Sequence, residues 1–394
     1  MTLTTGRGVR PGWRKLSRHL LESGAMAPDW APAFEAVDRA RFLPSVMWPY
    51  DMATRTSSHV DRDADPDAWY AAADADVPVT TQWDDGRHLG TAPGTVPTSS
   101  ASMPSVVMAM LDDLDVRDGM TVLEIGTGTG WNAGLLTHRL GDRQVTTVEV
   151  DATVAAQADS ALHRASLHPI TAVADGLNGH PADAPYDRLI ATVGLRTIPQ
   201  AWLRQVTPGG VIVAPWGRHY ANSDVVARLV VADDGSSASG KFTRPVEFMK
   251  ARSQRVARSP HAEYVPDGLT GAATSTTTLT ALEAGFEDPL RHPFTLVAGL
   301  LVGDCVQASD RRGDERSVWL YGLSDRSWAA VLFHDGQPVS TVYQGGPRQL
   351  WEEIEAAYRW WEAEGRPGIE RFGLTVSQQG DQTWLDTPER PVGE

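Results

Sequence analysis

The feature that most constrains this chain is the segment at residues 121–130, TVLEIGTGTG, in which an apolar run leads directly into three alternating glycines. The run predicts a buried strand, and the pattern of residues 131–139 predicts a helix immediately after the glycines. Glycines let the backbone approach a ligand that a Cβ atom would exclude. A strand, a glycine-rich turn and a helix in this order predict an α/β domain that binds a nucleotide-type ligand.

Strands and helices continue to alternate along the chain and predict a Rossmann-like sheet. The predicted strands are residues 121–125, 144–150, 171–174, 188–192 and 211–214, and the predicted helices between them are 131–139, 153–165 and 199–206. Alternation of this kind is typical of a parallel sheet covered by helices. Helical patterns at 12–25 and 31–42 form an N-terminal helical segment, and a further apolar helix is predicted from Pro104 to about Leu114.

The length of 394 residues predicts two domains. We place the nucleotide-type domain at residues 1–256 and a C-terminal α+β domain at 257–394. After a bridge at 258–295 with a helix near 278–284, the C-terminal pattern predicts strands at 318–323, 329–334, 339–343, 372–376 and 383–385 and a helix at 348–363.

An acidic insertion interrupts the first domain at about residues 51–85. It holds nine aspartates against two arginines and leads towards a loop rich in Thr, Ser and Pro. Two interpretations stay open for the insertion: a solvated surface insertion, or a flap that faces the substrate.

Carboxylates follow or end three successive predicted strands. Glu124 lies just before the glycines, where it suits the positively charged amino group of a methionine moiety and would repel a pyrophosphate. Glu149 ends the second strand, where it can accept both hydroxyls of a ribose. Asp175, followed by Gly176, can bond an adenine amino group. A dinucleotide site stays open on the glycines alone, because Ala133 is permitted in the third position of the looser G-x-G-x-x-G/A pattern.

Composition excludes several classes of function. The formal net charge of −15 argues against binding to a nucleic-acid backbone. Cys305 is the only cysteine and the histidines show no ligand-like clustering, so no metal site is expected. No run of about eighteen apolar residues predicts a membrane span, and no apolar segment follows the basic N-terminal stretch, so we expect a cytoplasmic protein without a membrane partner.

Several runs together resemble the protein-L-isoaspartate O-methyltransferase family, over roughly residues 28–256. They are AFEAVDRARFLP, VLEIGTGTGWNAGLL, VTTVEVD, ADGLNGHPADAPYDRLIAT, IPQAWLRQVTPGGVIVAPWG and GKFTRPVEFMKARSQ. The resemblance implies a class I methyltransferase fold and S-adenosyl-L-methionine as cofactor, with S-adenosyl-L-homocysteine as product. It implies that the cofactor is bound by Glu124, Gly126, Thr127, Gly128, Gly130, Glu149, Asp175 and Gly176.

The same family carries a Ser-x-Pro segment whose serine lies beside the transferred methyl group. Ser102, Met103 and Pro104 take that place here, with Met where the family usually has Gln or Ala. The resemblance implies that Ser102 is the catalytic residue. A hydroxyl at this position can alternatively cap the helix that begins at Pro104, and both roles can hold at once.

Further segments resemble the methyltransferases that accompany ATP-grasp ligases in graspetide maturation, or lanthipeptide synthetases. They are VTTQWDDG, TSSASMPSVV, GGPRQLWEEIEAAYRWW and RFGLTV. This likeness implies a peptide substrate, a ring-closed ribosomal precursor, in which an aspartate carboxylate is methylated and then forms an aspartimide and isoaspartate. The alternative is an isoaspartate repair enzyme.

Overall fold

The computed structural model describes residues 9–257, 259–266 and 268–393. Contacts divide the chain into two compact units. The first comprises the described residues up to Thr192 with Pro199–Val213 and Asp233–Gly235, and the second comprises Val193–Ile198, Ala214–Ala232 and the described residues from Ser236 onwards. This division lies elsewhere than the boundary expected near residue 256, because strands on both sides of that position belong to the second unit.

The helices and strands that begin within the first unit follow in chain order. They are α1 (Pro11–Glu22), α2 (Ala31–Ala36), β1 (Val46–Asp51), β2 (Thr56–Ser57), β3 (Val60–Asp61), α3 (Pro66–Ala73), β4 (Val79–Trp83), β5 (Pro97–Ala101), α4 (Pro104–Leu114), β6 (Val122–Ile125), α5 (Trp131–Leu140), β7 (Val145–Glu149), α6 (Ala152–Arg164), β8 (Ile170–Val173), β9 (Tyr186–Ala191), α7 (Gln200–Leu203) and β10 (Val206–Trp216).

The parallel strands of the first unit lie in the order β8-β7-β6-β9-β10. Every residue of β6 and β7 is buried, as expected for strands covered on both faces. The chain runs from β6 outwards to β7 and β8 on one side, and β9 and β10 lie on the other. In open α/β sheets a ligand binds outside the carboxyl ends of the strands at such a switch point. The topology therefore predicts a ligand site at the residues that follow β6.

The acidic insertion is a folded substructure and not an irregular loop, and its aspartates are exposed or half-buried. Strands pair in the order β2-β1-β4-β5, β3 pairs with β1, and the indole of Trp69 on α3 is fully buried in a core with Met47 and Val79. The aspartates act in turns, caps and ion pairs. Asp65 caps α3, and Asp74 accepts a 2.8 Å hydrogen bond from the guanidinium of Arg10.

The second unit contains the end of β10 and the remaining elements. They are β11 (Asp224–Val231), β12 (Ser237–Val246), α8 (His261–Tyr264), β13 (Ala273–Thr277), α9 (Pro293–Leu301), β14 (Cys305–Arg312), β15 (Glu315–Gly322), β16 (Trp328–His334), β17 (Ser340–Gly345), α10 (Leu350–Ala363), β18 (Phe372–Ser377) and β19 (Gly380–Leu385).

Two antiparallel arrangements form the second unit. Strands β11, β12, β18 and β19 pair in that order, and β13-β17-β16-β15-β14 form a separate sheet. Helix α10 buries the aromatic face expected from the sequence, with Trp351, Tyr358 and Trp361 buried. The predicted α+β character is confirmed. The helix expected near residues 278–284 is wrong: that segment forms turns, and the helix is α9.

Candidate cofactor and substrate site

The glycine-rich loop after β6 has a backbone that only glycine adopts without strain. Gly126, Gly128 and Gly130 have φ angles of 93°, 53° and 85°. A Cβ at Gly130 would lie 3.2 Å from the Cβ of Ala158, and a Cβ at Gly128 would lie 3.3 Å from the carbonyl oxygen of Ser100. The glycines thus permit the loop to pass between α6 and the strand β5 without the clashes that side chains would cause.

Glu124 is fully buried beneath this loop. Its carboxylate accepts a 2.7 Å hydrogen bond from the amide of Asn132 and a 2.5 Å bond from the hydroxyl of Thr147. Burial raises the pKa of Glu124 to about 7, the two hydrogen bonds lower it, and the charge of Glu149 raises it. Glu124 therefore has neighbours within the protein that the sequence did not predict, and its charge depends on pH near neutrality.

Asn132 supplies an acceptor that the protein does not use. Its side chain is 8% exposed, and its Oδ1 is buried without a hydrogen-bond partner among the described residues. A buried acceptor of this kind costs free energy unless a donor reaches it. Asn132 lies in the first turn of α5, directly after the glycines. A ligand bound at the loop could therefore donate an N–H hydrogen bond to the Asn132 Oδ1 atom.

Thr127 and Glu149 connect the loop to β7. The hydroxyl of Thr127 lies 2.6 Å from that of Thr147. Glu149 is 9% exposed, and its carboxylate accepts from the backbone N–H of Gly128 at 3.0 Å and from that of Asp151 at 3.1 Å. The structure therefore brings the predicted ribose acceptor against the glycine loop.

Asp175 and Gly176 follow β8 at the next position along the sheet. Asp175 is exposed, and its carboxylate accepts a 3.0 Å hydrogen bond from the backbone N–H of Leu177. Gly176 is buried, and a Cβ there would lie 2.5 Å from a methyl group of Ile125, the last residue of β6. The packing requires glycine at this position and places the Asp175 turn beside the start of the loop.

Ser102 follows β5 and precedes α4. The expected role as N-cap of α4 is wrong, because the N-cap is Met103 and its side chain makes no capping bond. Instead the carboxylate of Asp76 accepts from the backbone N–H of Ser105 at 2.8 Å. No hydrogen bond from the Ser102 hydroxyl to another described residue occurs, so this half-buried hydroxyl is available to a ligand.

Arg39 fixes the Ser102 segment and was not singled out from the sequence. It is fully buried, and one guanidinium nitrogen donates to the carbonyl oxygens of Ala101 and Ser102 at 2.8 and 2.9 Å. It also bonds the carbonyls of Ala75 and Val77. Burial lowers the pKa of Arg39 to about 10, so it stays charged at neutral pH. The available signal was an arginine close to apolar residues in the segment VDRARFLP.

No cluster of metal ligands and no membrane-spanning helix is found in the described part of the chain. No group of three or more His, Cys, Asp or Glu side chains there is arranged to hold a metal ion. No helix among the same residues has the length and apolar character needed to cross a membrane.

Comparisons with known proteins identify the family of this chain. The family model described as Protein-L-isoaspartate(D-aspartate) O-methyltransferase (PCMT) matches residues 80–255. The protein-L-isoaspartate O-methyltransferase of Rhodospirillum centenum is 35% identical over 164 residues, which are 41% of this chain and 72% of that protein. The chain belongs to the protein-L-isoaspartate O-methyltransferase family. The namesake from Thermococcus sibiricus is 33% identical over 138 residues, or 34% of this chain and 62% of that protein. The chain spans about three fifths of the length of the first curated relatives that it matches.

A solved structure named protein-L-isoaspartate O-methyltransferase has the same fold. It is 21% identical, with a TM-score of 0.51, and the match covers 95% of this chain and 99% of that one. The class I methyltransferase fold expected from the sequence is confirmed. The match also includes residues after 256.

Proposed function

We propose that this protein transfers a methyl group from S-adenosyl-L-methionine to the free carboxylate of an isoaspartyl residue in a peptide. The observation that carries the proposal is the position of the strand β5 against the glycine loop. The carbonyl oxygen of Ser100 lies 3.3 Å from the position of a Cβ at Gly128, and Ser102, with its available hydroxyl, follows two residues later. A substrate group held by Ser102 would therefore lie beside the ligand of the loop.

The residues at the carboxyl ends of β6, β7 and β8 fit this cofactor in kind and order. Glu149 offers a carboxylate to ribose hydroxyls, and the turn at Asp175 offers an acceptor to the adenine amino group. The buried Oδ1 of Asn132 would accept from the ammonium group, with the charge of Glu124 behind it. Bound there, the cofactor supplies an electrophilic methyl group on a positively charged sulfur.

No general base is needed for this reaction. A peptide carboxylate has a reference pKa near 4 and is already ionised at neutral pH. What the chain must supply is orientation and exclusion of water, and correct orientation alone can contribute roughly 7–11 kcal/mol. Ser102 would donate a hydrogen bond to the carboxylate, and Arg39 would hold the Ser102 backbone in place.

A ring-closed ribosomal peptide is a second candidate substrate for the same chemistry. The folded insertion favours it, because β1–β5 build a substructure with its own core that leads directly to Ser102. A substructure at this place could contact the parts of the peptide on either side of the residue that is methylated. The family name favours the isoaspartyl substrate, which is our first candidate.

A competition between three peptides tests the assignment. The protein is incubated with S-adenosyl-L-methionine and a linear L-isoaspartyl peptide, its L-aspartyl isomer or a ring-closed precursor, and the masses are followed with time. We expect a methyl ester on the isoaspartyl peptide and none on its isomer. Preference for the ring-closed peptide, with gain of a methyl group and then loss of methanol as a backbone nitrogen closes an imide, would favour the second candidate. Methylation of none would overturn both.

A further inference from the structure

Gln82 links the hairpin β4–β5 to the cofactor side of the site. The hydroxyl of Thr98 on β5 donates to the Gln82 side-chain oxygen at 2.8 Å, and the Gln82 amide nitrogen donates to a carboxylate oxygen of Asp151 at 3.2 Å. A reversed amide would set its oxygen against that carboxylate, which can only accept, so Asp151 fixes the orientation of the Gln82 amide. Gln82 therefore connects two segments through one rigid amide.

Asp151 in turn contacts Glu149, the predicted ribose acceptor. One carboxylate oxygen of Asp151 caps α6 by accepting from the N–H groups of Thr153 and Val154 at 2.9 and 3.1 Å, which fixes its side chain. The backbone N–H of Asp151 donates to Glu149, and the other oxygen of Glu149 accepts from Gly128. An unbroken path of contacts thus runs from the hairpin to the glycine loop.

The hairpin β4–β5 also contacts the glycine loop directly. Its strand β5 passes over Gly128 at Ser100 and ends one residue before Ser102. We propose that Gln82 is a positioning residue, which holds the strand that carries Ser102 in a fixed relation to the carboxylate that binds the cofactor ribose. This inference rests on the proposed function and assigns to the acidic insertion a part in aligning the two substrates.

Two substitutions at Gln82 separate this role from simple folding. Gln82→Met keeps the length of the side chain and removes the hydrogen bonds to Thr98 and Asp151. Gln82→Glu keeps an acceptor for Thr98 but sets a second carboxylate against Asp151. The matched control is Thr81→Val, which removes a 3.3 Å hydrogen bond to Ser99 in the same hairpin without touching Asp151.

Three quantities are measured for each variant: the affinity for S-adenosyl-L-homocysteine by calorimetry, the kcat for an isoaspartyl peptide at saturating cofactor, and the melting temperature. We expect Gln82→Met to weaken the binding of S-adenosyl-L-homocysteine roughly 3- to 10-fold, the size of effect that loss of the hydrogen bond to Asp151 allows. We also expect it to lower kcat. Gln82→Glu should weaken it further. The control should keep the wild-type affinity and kcat.

The outcomes distinguish this inference from the proposed function. Wild-type affinity and kcat in Gln82→Met, or equal losses in Gln82→Met and Thr81→Val, would overturn the positioning role. The affinity for S-adenosyl-L-homocysteine needs no peptide, so it decides the link to Glu149 even if the isoaspartyl peptide proves not to be a substrate.

Discussion

Both carboxylate oxygens of Glu149 accept backbone N–H groups, so this residue orders the loop and offers its remaining lone pairs to a ligand. We expect Glu149→Ala to weaken S-adenosyl-L-homocysteine binding by roughly 1.5–3 kcal/mol, the range for hydrogen bonds to a charged group. Calorimetry checks this, with Glu22→Ala, an exposed carboxylate on α1, as control. Unchanged affinity in Glu149→Ala would remove the residue from the site.

Ser102 offers a test of orientation. Because Met103 and not Ser102 is the N-cap of α4, the Ser102→Ala variant should keep the wild-type melting temperature and cofactor affinity. Its turnover number should fall roughly 10- to 100-fold, since one hydrogen bond to a carboxylate is lost. Steady-state kinetics and thermal melting measure the two quantities. A lower melting temperature with normal turnover would assign Ser102 to folding alone.

Glu124 predicts a pH dependence of cofactor binding. With a pKa of about 7 in the free protein, this carboxyl is largely neutral below pH 6 and ionised above pH 8. A ligand ammonium favours the ionised form, so affinity for S-adenosyl-L-homocysteine should rise as the pH increases through 7, and binding near pH 7 should release a proton. Calorimetry in buffers of different ionisation enthalpy detects that proton. In Glu124→Gln the release should vanish, and its persistence would point to another group.

Among the elements, the insertion is held by its own core. Trp69 on α3 is fully buried and its indole donates to the carbonyl of Pro44 at 3.0 Å, whereas the side chain of its neighbour Tyr70 is 40% exposed. We expect Trp69→Ala to lower the free energy of unfolding by about 3–5 kcal/mol, the usual cost of emptying such a site. Tyr70→Ala should cost about 1 kcal/mol, the size of its contact with the Arg10 guanidinium. Urea unfolding of both variants compares them, and equal losses would contradict a separate core.

Elements with strong local signals were predictable from the sequence. The glycines after β6 and the apolar stripe of α10 obey rules that a few neighbouring residues decide, and both are confirmed. The pairing of β12 with β18 was not predicted, because Lys241 and Gly373 meet across more than a hundred residues of chain and neither carries a local mark of the other. Composition did not predict the contacts of the aspartates, because it counts the charge of Asp76 and not the backbone N–H of Ser105 that donates to it.

In the molecule as a whole, the pairing of β12 with β18 makes the expected boundary near residue 256 a poor place to truncate the chain. Strand β12 pairs with β18 from Ser237 with Ser377 to Lys241 with Gly373, and Phe372 and Leu374 are fully buried. A chain ending at residue 256 would expose this edge, and exposed edges promote aggregation. Size-exclusion chromatography and circular dichroism should show aggregated or unfolded material, with the full chain as control. A folded, monomeric fragment would contradict this expectation.

Arg39 also bears on how such an enzyme can diversify. Its guanidinium holds Ala75 and Val77, just before the hairpin β4–β5, together with Ala101 and Ser102 at the hairpin's end. The side chain of Arg39 is therefore hydrogen-bonded to the segments at both ends of the hairpin. Closing a longer or shorter loop on a fixed base adds little free energy, so residues 87–95 at the tip can be exchanged while Ser102 stays where it is. In evolution, that tip is therefore where we expect changes of length or sequence to disturb the Ser102 segment least.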